Sequence, residues 1–174
     1  GYYTWPAASI NHFSDLPIPF ICLATDLVTC KQVILDKGCL ADAIRASATV
    51  PTIFTPLKID NEPLIDGGMV RNLAVSEVRK MGANVVIGVY TGSYMTKKEK
   101  LRTIKDVMAQ LLFFVGVYDF QDQKKFADIL IEPKTDDIPS TSFSDIDTLI
   151  NRGYKAALPF KETFKRLADS LNLL

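Results

Sequence analysis

The sequence has few of the residues on which metal centres, disulfide frameworks and nucleic-acid surfaces are built. It contains one histidine, His12, and three cysteines, Cys22, Cys30 and Cys39, with no Cys-x-x-Cys pair. This pattern provides neither a zinc signature nor a disulfide framework. Lysine plus arginine equal aspartate plus glutamate at 20 each. Balanced charge argues against a nucleic-acid surface or a strongly basic membrane-binding face.

Two longer patterns are also missing. No apolar run is long enough to span a bilayer. No Gly-x-Gly-x-x-Gly or P-loop opens a helix after a strand, which argues against a nucleotide-binding α/β protein. The chain starts with Gly1 rather than methionine, so the sequence leaves the localisation open.

The sequence does contain short apolar segments separated by turn residues. Four of these segments predict strands: 20–24, 33–35, 57–59 and 63–65. The continuous apolar run of the first predicts burial on both faces, and residues 28–31 predict a hairpin turn to the second. Asp60-Asn61 predicts a tight turn between the third and the fourth.

Apolar residues at helical spacing predict helices over 40–48, 73–81 and 104–115. A last helix is predicted from Ser144, which caps it with Asp147 reaching back, and Pro159 should break or kink it. The predicted buried faces are Ile104, Val107, Met108, Leu111, Leu112 and Val115 in the third helix, and Ile146, Leu149, Ile150, Gly153, Tyr154 and Ala157 in the last.

Two further apolar runs, 85–89 and 129–131, predict buried strands. The first of them follows the predicted helix 73–81, and a helix followed by a buried strand is typical of an α/β unit with a parallel sheet. The 174 residues suffice for one domain with its own core. The predicted fold class is therefore α/β.

Asp66 is the strongest candidate for chemistry. It leaves the end of a predicted strand and is followed by Gly67 and Gly68, which allow positive φ or close approach of other groups. The ends of strands in open α/β sheets are where sites form. Asp-Gly is also a common turn pair, so the motif alone favours a plain turn.

The surrounding blocks change that weighting. The residues FICLATDL (20–27), LADAIRASATVP (40–51), Asp66-Gly67-Gly68 with Asn72, and Met81-Gly82-Ala83 before a buried strand occur in this order. In order and spacing they resemble the patatin-like phospholipase family, in its bacterial branch. The resemblance is strong over about 16–90 and continues weakly near 131–133 and 152–154.

The resemblance implies a lipid acyl hydrolase built on a three-layer α/β/α sandwich with a mainly parallel central sheet. Such enzymes use a Ser-Asp dyad that hydrolyses acyl esters of phospholipids and requires no metal or other cofactor. Asp66 matches the dyad aspartate, the general base, and Gly67, Gly68 and Asn72 support the site. His12 then needs no catalytic role and is interpreted as a loop residue.

The departures concern the other half of the dyad. The family's Gly-x-Ser-x-Gly elbow and glycine-rich oxyanion loop do not occur in these 174 residues. The chain is therefore expected to be the C-terminal portion of a single patatin-like domain and to be inactive alone. Ser47 lies in a predicted helix and is interpreted as a packing residue, and Arg45 as a surface or site-rim residue. The alternative is a non-catalytic patatin-core module for binding or assembly.

Partners are predicted from the same considerations. A portion of a sheet exposes apolar faces, so the chain is expected to form homo-oligomers or to pair with the N-terminal half. The basic residues 97–102 before an apolar helix suggest contact with a membrane surface, although core burial of that helix is the favoured interpretation. Family members commonly have glycine where Cys30 stands, in the turn between the first two strands.

Overall fold

The computed structural model describes residues 2–92, 94–95, 98–135, 138, 142 and 144–171. The strands are β1 Cys22–Asp26, β2 Gln32–Leu35, β3 Leu57–Ile59, β4 Glu62–Asp66, β5 Ile87–Val89 and β6 Ile129–Ile131. The α-helices are α1 Leu40–Ser47, α2 Val75–Lys80, α3 Ile104–Gln123, α4 Ile146–Ala157 and α5 Lys161–Leu171. The chain divides into two compact units, Gly1–Ala74 with Met95–Phe120 and Val75–Tyr94 with Gln121–Leu174.

The first unit contains a four-stranded antiparallel sheet in the order β2-β1-β4-β3. Both predicted hairpins are confirmed. Asp60 and Asn61 have φ of 51° and 69°, the pair of positive values that a two-residue turn of the hairpin type requires. Asparagine and aspartate tolerate this conformation better than other side chains. The turn thereby sets the register that brings Leu57 opposite Leu64.

The core of the first unit lies between this sheet and α1, which contacts β1 and β4. The buried residues at its centre are Phe13, Ala24, Leu35, Ala43, Ala46 and Leu64. The predicted helix 40–48 is confirmed as α1, in which the Ile44 side chain is exposed. Small alanines at 43 and 46 face the sheet instead, because a helix can approach a sheet closely only through small side chains.

Helix α3 buries a different face from the one predicted. Val117 and Phe120 are buried, whereas Ile104, Val107, Met108, Leu111 and Val115 are exposed. The helix is apolar nearly all round, so helical spacing alone does not select which side meets the core. A close fit at Gly116, described below, makes that selection.

In the second unit, β5 and β6 form a parallel pair, as predicted for an α/β unit. Strand β6 is buried at Ile129 and Ile131. Strand β5, predicted to be fully buried, exposes Ile87 and Val89 and buries only Gly88. The prediction failed because a parallel strand is buried on both faces only where a layer covers each face.

Two predictions for the C-terminal helices have different outcomes. Pro159 lies in a one-turn 3-10 segment, Leu158–Phe160, between α4 and α5, so the predicted break is confirmed. The predicted Ser144 cap is wrong, because Asp145 is the cap residue and Ser144 Oγ donates to its carboxylate at 3.3 Å. The predicted core residues Ile146, Ile150 and Tyr154 are exposed, since no described element covers that face of α4.

The fold class is α/β, with helices and strands in both units. A mainly parallel sheet is not present among the described residues, where three of the four strand pairings are antiparallel. The cause is partly local, because short turns from β1 to β2 and from β3 to β4 return the chain directly and allow only antiparallel pairing. No helix in the described part of the chain is both long enough and apolar enough to cross a membrane.

Candidate active site

Asp66 is the last residue of β4, and three backbone contacts hold it there. It pairs with Ala24 on the central strand β1. Its N–H donates to the carbonyl of Thr49, just beyond α1, at 2.9 Å. Its carbonyl accepts from the Thr25 hydroxyl at 3.0 Å. Sheet and helix therefore both determine where the carboxylate starts.

The side chain of Asp66 is half-buried and engaged on one oxygen. Its Oδ1 accepts a hydrogen bond from the Gly68 N–H at 2.7 Å. Burial raises the pKa of Asp66, and the Gly68 hydrogen bond opposes the increase. The carboxylate caps the 3-10 turn Gly67–Met69. The turn and the candidate base are thus the same feature, and the raised pKa makes this carboxylate a better proton acceptor than an exposed aspartate.

The two glycines are required by space rather than by positive φ. A Cβ on Gly67 would lie 2.4 Å from the carbonyl oxygen of Leu23 on β1. A Cβ on Gly68 would lie 2.9 Å from Asn72 Oδ1 and 3.0 Å from Asp66 Oδ1. The four predicted site residues, Asp66, Gly67, Gly68 and Asn72, therefore lie together in one turn, with both side-chain oxygens close to Gly68.

Helix α3 packs directly against this turn. The sequence did not predict this contact. A Cβ on Gly116 would lie 2.3 Å from the carbonyl oxygen of Gly68, so only glycine permits this approach. Further along the same helix, Asp119 forms a two-pronged ion pair with Arg71, with Nη2 to Oδ1 at 2.9 Å. A glycine inside an otherwise apolar helix is the signal that could have found this contact.

The segment around Asp66 matches a known protein family. The family model described as patatin-like phospholipase matches residues 11–79, which include β1 to β4, α1 and the Asp66 turn. Over these residues the chain is similar to patatin-like phospholipases. The resemblance predicted from the sequence is confirmed.

Relatives of the chain include fungal and mycobacterial proteins. The lysophospholipase NTE1 of Mycosarcoma maydis is 25% identical over 173 residues, covering 85% of this chain and 9% of that protein. An uncharacterized NTE family protein of Mycobacterium tuberculosis is 38% identical over 75 residues, covering 43% of this chain and 21% of that protein. The lysophospholipase NTE1 of Meyerozyma guilliermondii is 22% identical over 175 residues, 86% of this chain and 12% of that protein.

The chain thus spans about a tenth to a fifth of the length of these relatives, 9% to 21%. Similarity to the fungal proteins extends well past the matched segment, whereas the stronger mycobacterial similarity covers less than half of the chain.

The remaining residues considered in the sequence lie outside the Asp66 turn. Ser47 ends α1 and Arg45 is exposed on it. His12 is exposed, and its backbone forms an isolated antiparallel β-bridge with Lys37. Cys22 is half-buried on β1, and burial raises the pKa of its thiol to about 11, which keeps it protonated and unreactive. The described residues contain no cluster of three histidine, cysteine or acidic side chains suited to a metal.

A cavity of about 490 Å³ lies elsewhere in the first unit. Its lining includes Trp5, Ile10, Cys39 and Leu40. These residues surround the N-terminal end of α1, whereas the Asp66 backbone contacts Thr49 beyond its C-terminal end. The cavity is therefore separate from the candidate base.

Proposed function

We propose that this chain is part of a patatin-like lipid acyl hydrolase in which Asp66 is the general base of a Ser-Asp dyad. The observation that carries the proposal is the half-buried Asp66 carboxylate, held at a strand end inside the segment that matches the family. The nucleophilic serine of a Gly-x-Ser-x-Gly elbow is supplied by a segment outside these 174 residues.

The geometry of the carboxylate suits this role. Oδ1 accepts the Gly68 N–H, and Oδ2 makes no hydrogen bond with any described residue. Oδ2 accepts the proton of the serine hydroxyl as the oxygen attacks the acyl carbonyl, and the protonated carboxyl gives this proton to the leaving alcohol as the ester bond breaks. Asp66 then accepts a proton from the water molecule that attacks the acyl-enzyme, and returns it to the serine oxygen as the fatty acid leaves. A base with a raised pKa accepts these protons without histidine.

The substrate class follows from the relatives. Two fungal relatives bear the name lysophospholipase, and the matched family is one of phospholipases. The proposed substrates are therefore acyl esters of lysophospholipids and phospholipids. No cofactor is assigned to the reaction, since a carboxylate and a hydroxyl suffice for it.

The proposal extends to the fold. The upstream segment and this chain together form one patatin-like domain, a three-layer α/β/α sandwich. The parallel pair β5 and β6 belongs to its central sheet. The exposed side chains of Ile87 and Val89 support the idea, because a strand of a parallel sheet is ordinarily covered on both faces.

The chain alone is expected to be inactive because the nucleophile is missing. The test compares lysophospholipid hydrolysis by the 174-residue chain with hydrolysis by the same chain joined to its natural upstream segment. In the joined protein, Asp66→Asn should lower kcat by about 10²–10⁴-fold. The matched control Asp36→Asn changes an exposed aspartate of the same unit and should leave kcat unchanged.

Two outcomes would decide against the proposal. Turnover by the 174 residues alone that Asp66→Asn abolishes would mean that the nucleophile lies within this chain. An upstream segment without a Gly-x-Ser-x-Gly elbow, in an inactive joined protein, would favour the alternative of a non-catalytic module for binding or assembly.

A further inference from the structure

One face of α3 is apolar, continuous and in water. The residues that form it are Ile104, Val107, Met108, Leu111, Val115 and Tyr118, called here the outer face of α3. Their spacing of three and four residues aligns them in one stripe. The exposed fraction is 83% for Ile104, 56% for Leu111 and 66% for Tyr118. These values belong to a surface rather than to a core.

The opposite side of the same helix is already occupied. Gly116 contacts the Gly68 carbonyl and Phe120 is buried, while Asp119, four residues after Val115, borders the outer face and is paired with Arg71. From residue 107 to residue 118 the sequence contains no charged side chain. A helix that is apolar all round ordinarily has cover on every side. Exposed apolar patches of this kind mark interaction sites.

The charge next to the outer face indicates what covers it. Residues 97–105 contain five lysines and arginines and one acidic residue, Glu99, in a chain whose formal net charge is zero. Lys98 and Arg102 are exposed just before α3. The carboxylate of Asp106, at the start of α3, accepts hydrogen bonds from the N–H groups of Arg102 and Thr103, at 3.1 Å and 2.7 Å, which stabilise its charged form.

We propose that the outer face of α3 binds the surface of an anionic lipid membrane. The apolar stripe enters the acyl region, and the basic residues before it contact the negative headgroups. Because α3 seats on Gly68, the membrane surface lies about one helix diameter, roughly 10 Å, from the Asp66 turn. Binding of this kind goes beyond the proposed function, because it requires no hydrolysis.

The test is co-sedimentation of the 174-residue chain with vesicles. One set consists of phosphatidylcholine, and in a second set phosphatidylglycerol replaces part of it. We expect stronger partitioning to the anionic vesicles, lost as salt is raised. Leu111→Glu should weaken partitioning by about tenfold or more, because it places a charge where the bound chain would insert a leucine into the acyl region of the membrane. Lys98→Glu and Arg102→Glu should each weaken it by about fivefold or more.

Matched controls distinguish binding through the outer face of α3 from nonspecific binding through other apolar or basic residues. Ile150→Glu alters an equally exposed apolar residue on α4, at 65%, and should leave partitioning unchanged. Lys161→Glu and Lys165→Glu alter exposed lysines on α5 and should have smaller effects than the reversals at 98 and 102. Circular dichroism confirms that each variant is folded.

Three results would overturn the proposal. One is partitioning that is equal for both vesicle sets or unaffected by Leu111→Glu. Another is a chain that ignores vesicles but sediments as a dimer, with the dimer lost in Leu111→Glu, which would assign the face to a second copy. The third is loss of vesicle binding when the chain is joined to its upstream segment, which would assign the face to that segment. Each can occur whether or not Asp66 is a catalytic base.

Discussion

Cys30 shows how one residue can be strained by the turn it occupies. It lies between β1 and β2 with φ of 54°, a conformation that favours glycine. We predict that Cys30→Gly raises the free energy of unfolding by about 0.5–1 kcal/mol, as relief of left-handed strain exceeds the added entropy of the unfolded chain. Urea denaturation measures the change.

Cys39 is the matched control for that substitution. It is also exposed, but its φ is −77°, so glycine relieves nothing there. Cys39→Gly should leave the free energy of unfolding unchanged or lower it. An equal gain from both substitutions would mean that removal of a thiol, rather than backbone strain, is responsible.

The charge state of Asp66 connects the candidate site to stability. Burial raises its pKa, so the protonated form stabilises the fold below the ordinary aspartate pKa, and this contribution is lost as pH rises through the raised value. An asparagine side chain at this position would stay neutral throughout. We therefore predict that Asp66→Asn unfolds at a higher temperature than wild type at neutral pH, and that the difference shrinks towards acid pH. Thermal melts at several pH values measure this.

The pKa of Asp26, which lies in the same sheet, is shifted in the opposite direction from that of Asp66. Hydrogen bonds from Thr29 and from the Val28 N–H lower its pKa, so its contribution is present at neutral pH and lost as pH falls. Asp26→Asn should lower the melting temperature at neutral pH and have less effect in acid. Parallel pH profiles for the two variants would contradict the assigned causes.

At the scale of elements, the seat of α3 on the Asp66 turn depends on Gly116. Gly116→Ala would place a methyl group 2.3 Å from the Gly68 carbonyl oxygen, so helix or turn must move. We predict a loss of about 1–3 kcal/mol in the free energy of unfolding. In the joined protein, kcat should fall as well, because the turn carries the carboxylate.

Gly153 is the matched control on α4. Nothing lies within 4 Å of a Cβ placed there, and its backbone is helical. Gly153→Ala should raise the free energy of unfolding by about 0.5–1 kcal/mol through helix propensity. Denaturation of both variants in one experiment measures the contrast. Stabilisation by Gly116→Ala would mean that α3 does not rest on Gly68.

At the scale of the whole chain, the free energy of local opening should differ between elements. Strands β1 and β4 contain buried residues at the centre of the first unit, whereas α4 and α5 contain no buried residue among those described. Helices without a buried face open at little free-energy cost. We predict that hydrogen exchange measured by mass spectrometry is slowest in β1 and β4 and fast in α4 and α5.

A joined protein offers the control for that prediction. If the upstream segment covers the exposed residues Ile150 and Tyr154, amides of α4 should become protected when it is present. Exchange in β1 should change little, because Leu23 and Ala24 are already buried. Strong protection of α4 in the 174-residue chain would show that an association between copies, or another contact, already covers it.

The local features of the fold could be predicted from the sequence. The tight turn at Asp60-Asn61, the break at Pro159 and the pairing of β1 with β2 follow from backbone preferences of a few adjacent residues. The placement of Asp66 beside two glycines at a strand end is equally local, and the family resemblance rests on such blocks. These features need no knowledge of distant contacts, because neighbouring residues alone constrain the backbone there.

The buried faces of helices α3 and α4 could not be predicted from the sequence in the same way. The spacing in α3 and α4 indicated apolar stripes, but Leu111 and Ile150 face water, and α3 is oriented by Gly116 against Gly68, 48 positions earlier. Strand direction, the seat of α3 and the raised pKa of Asp66 likewise arise from segments far apart in the chain. Burial is a property of what lies opposite a residue, and that depends on how the whole chain is packed.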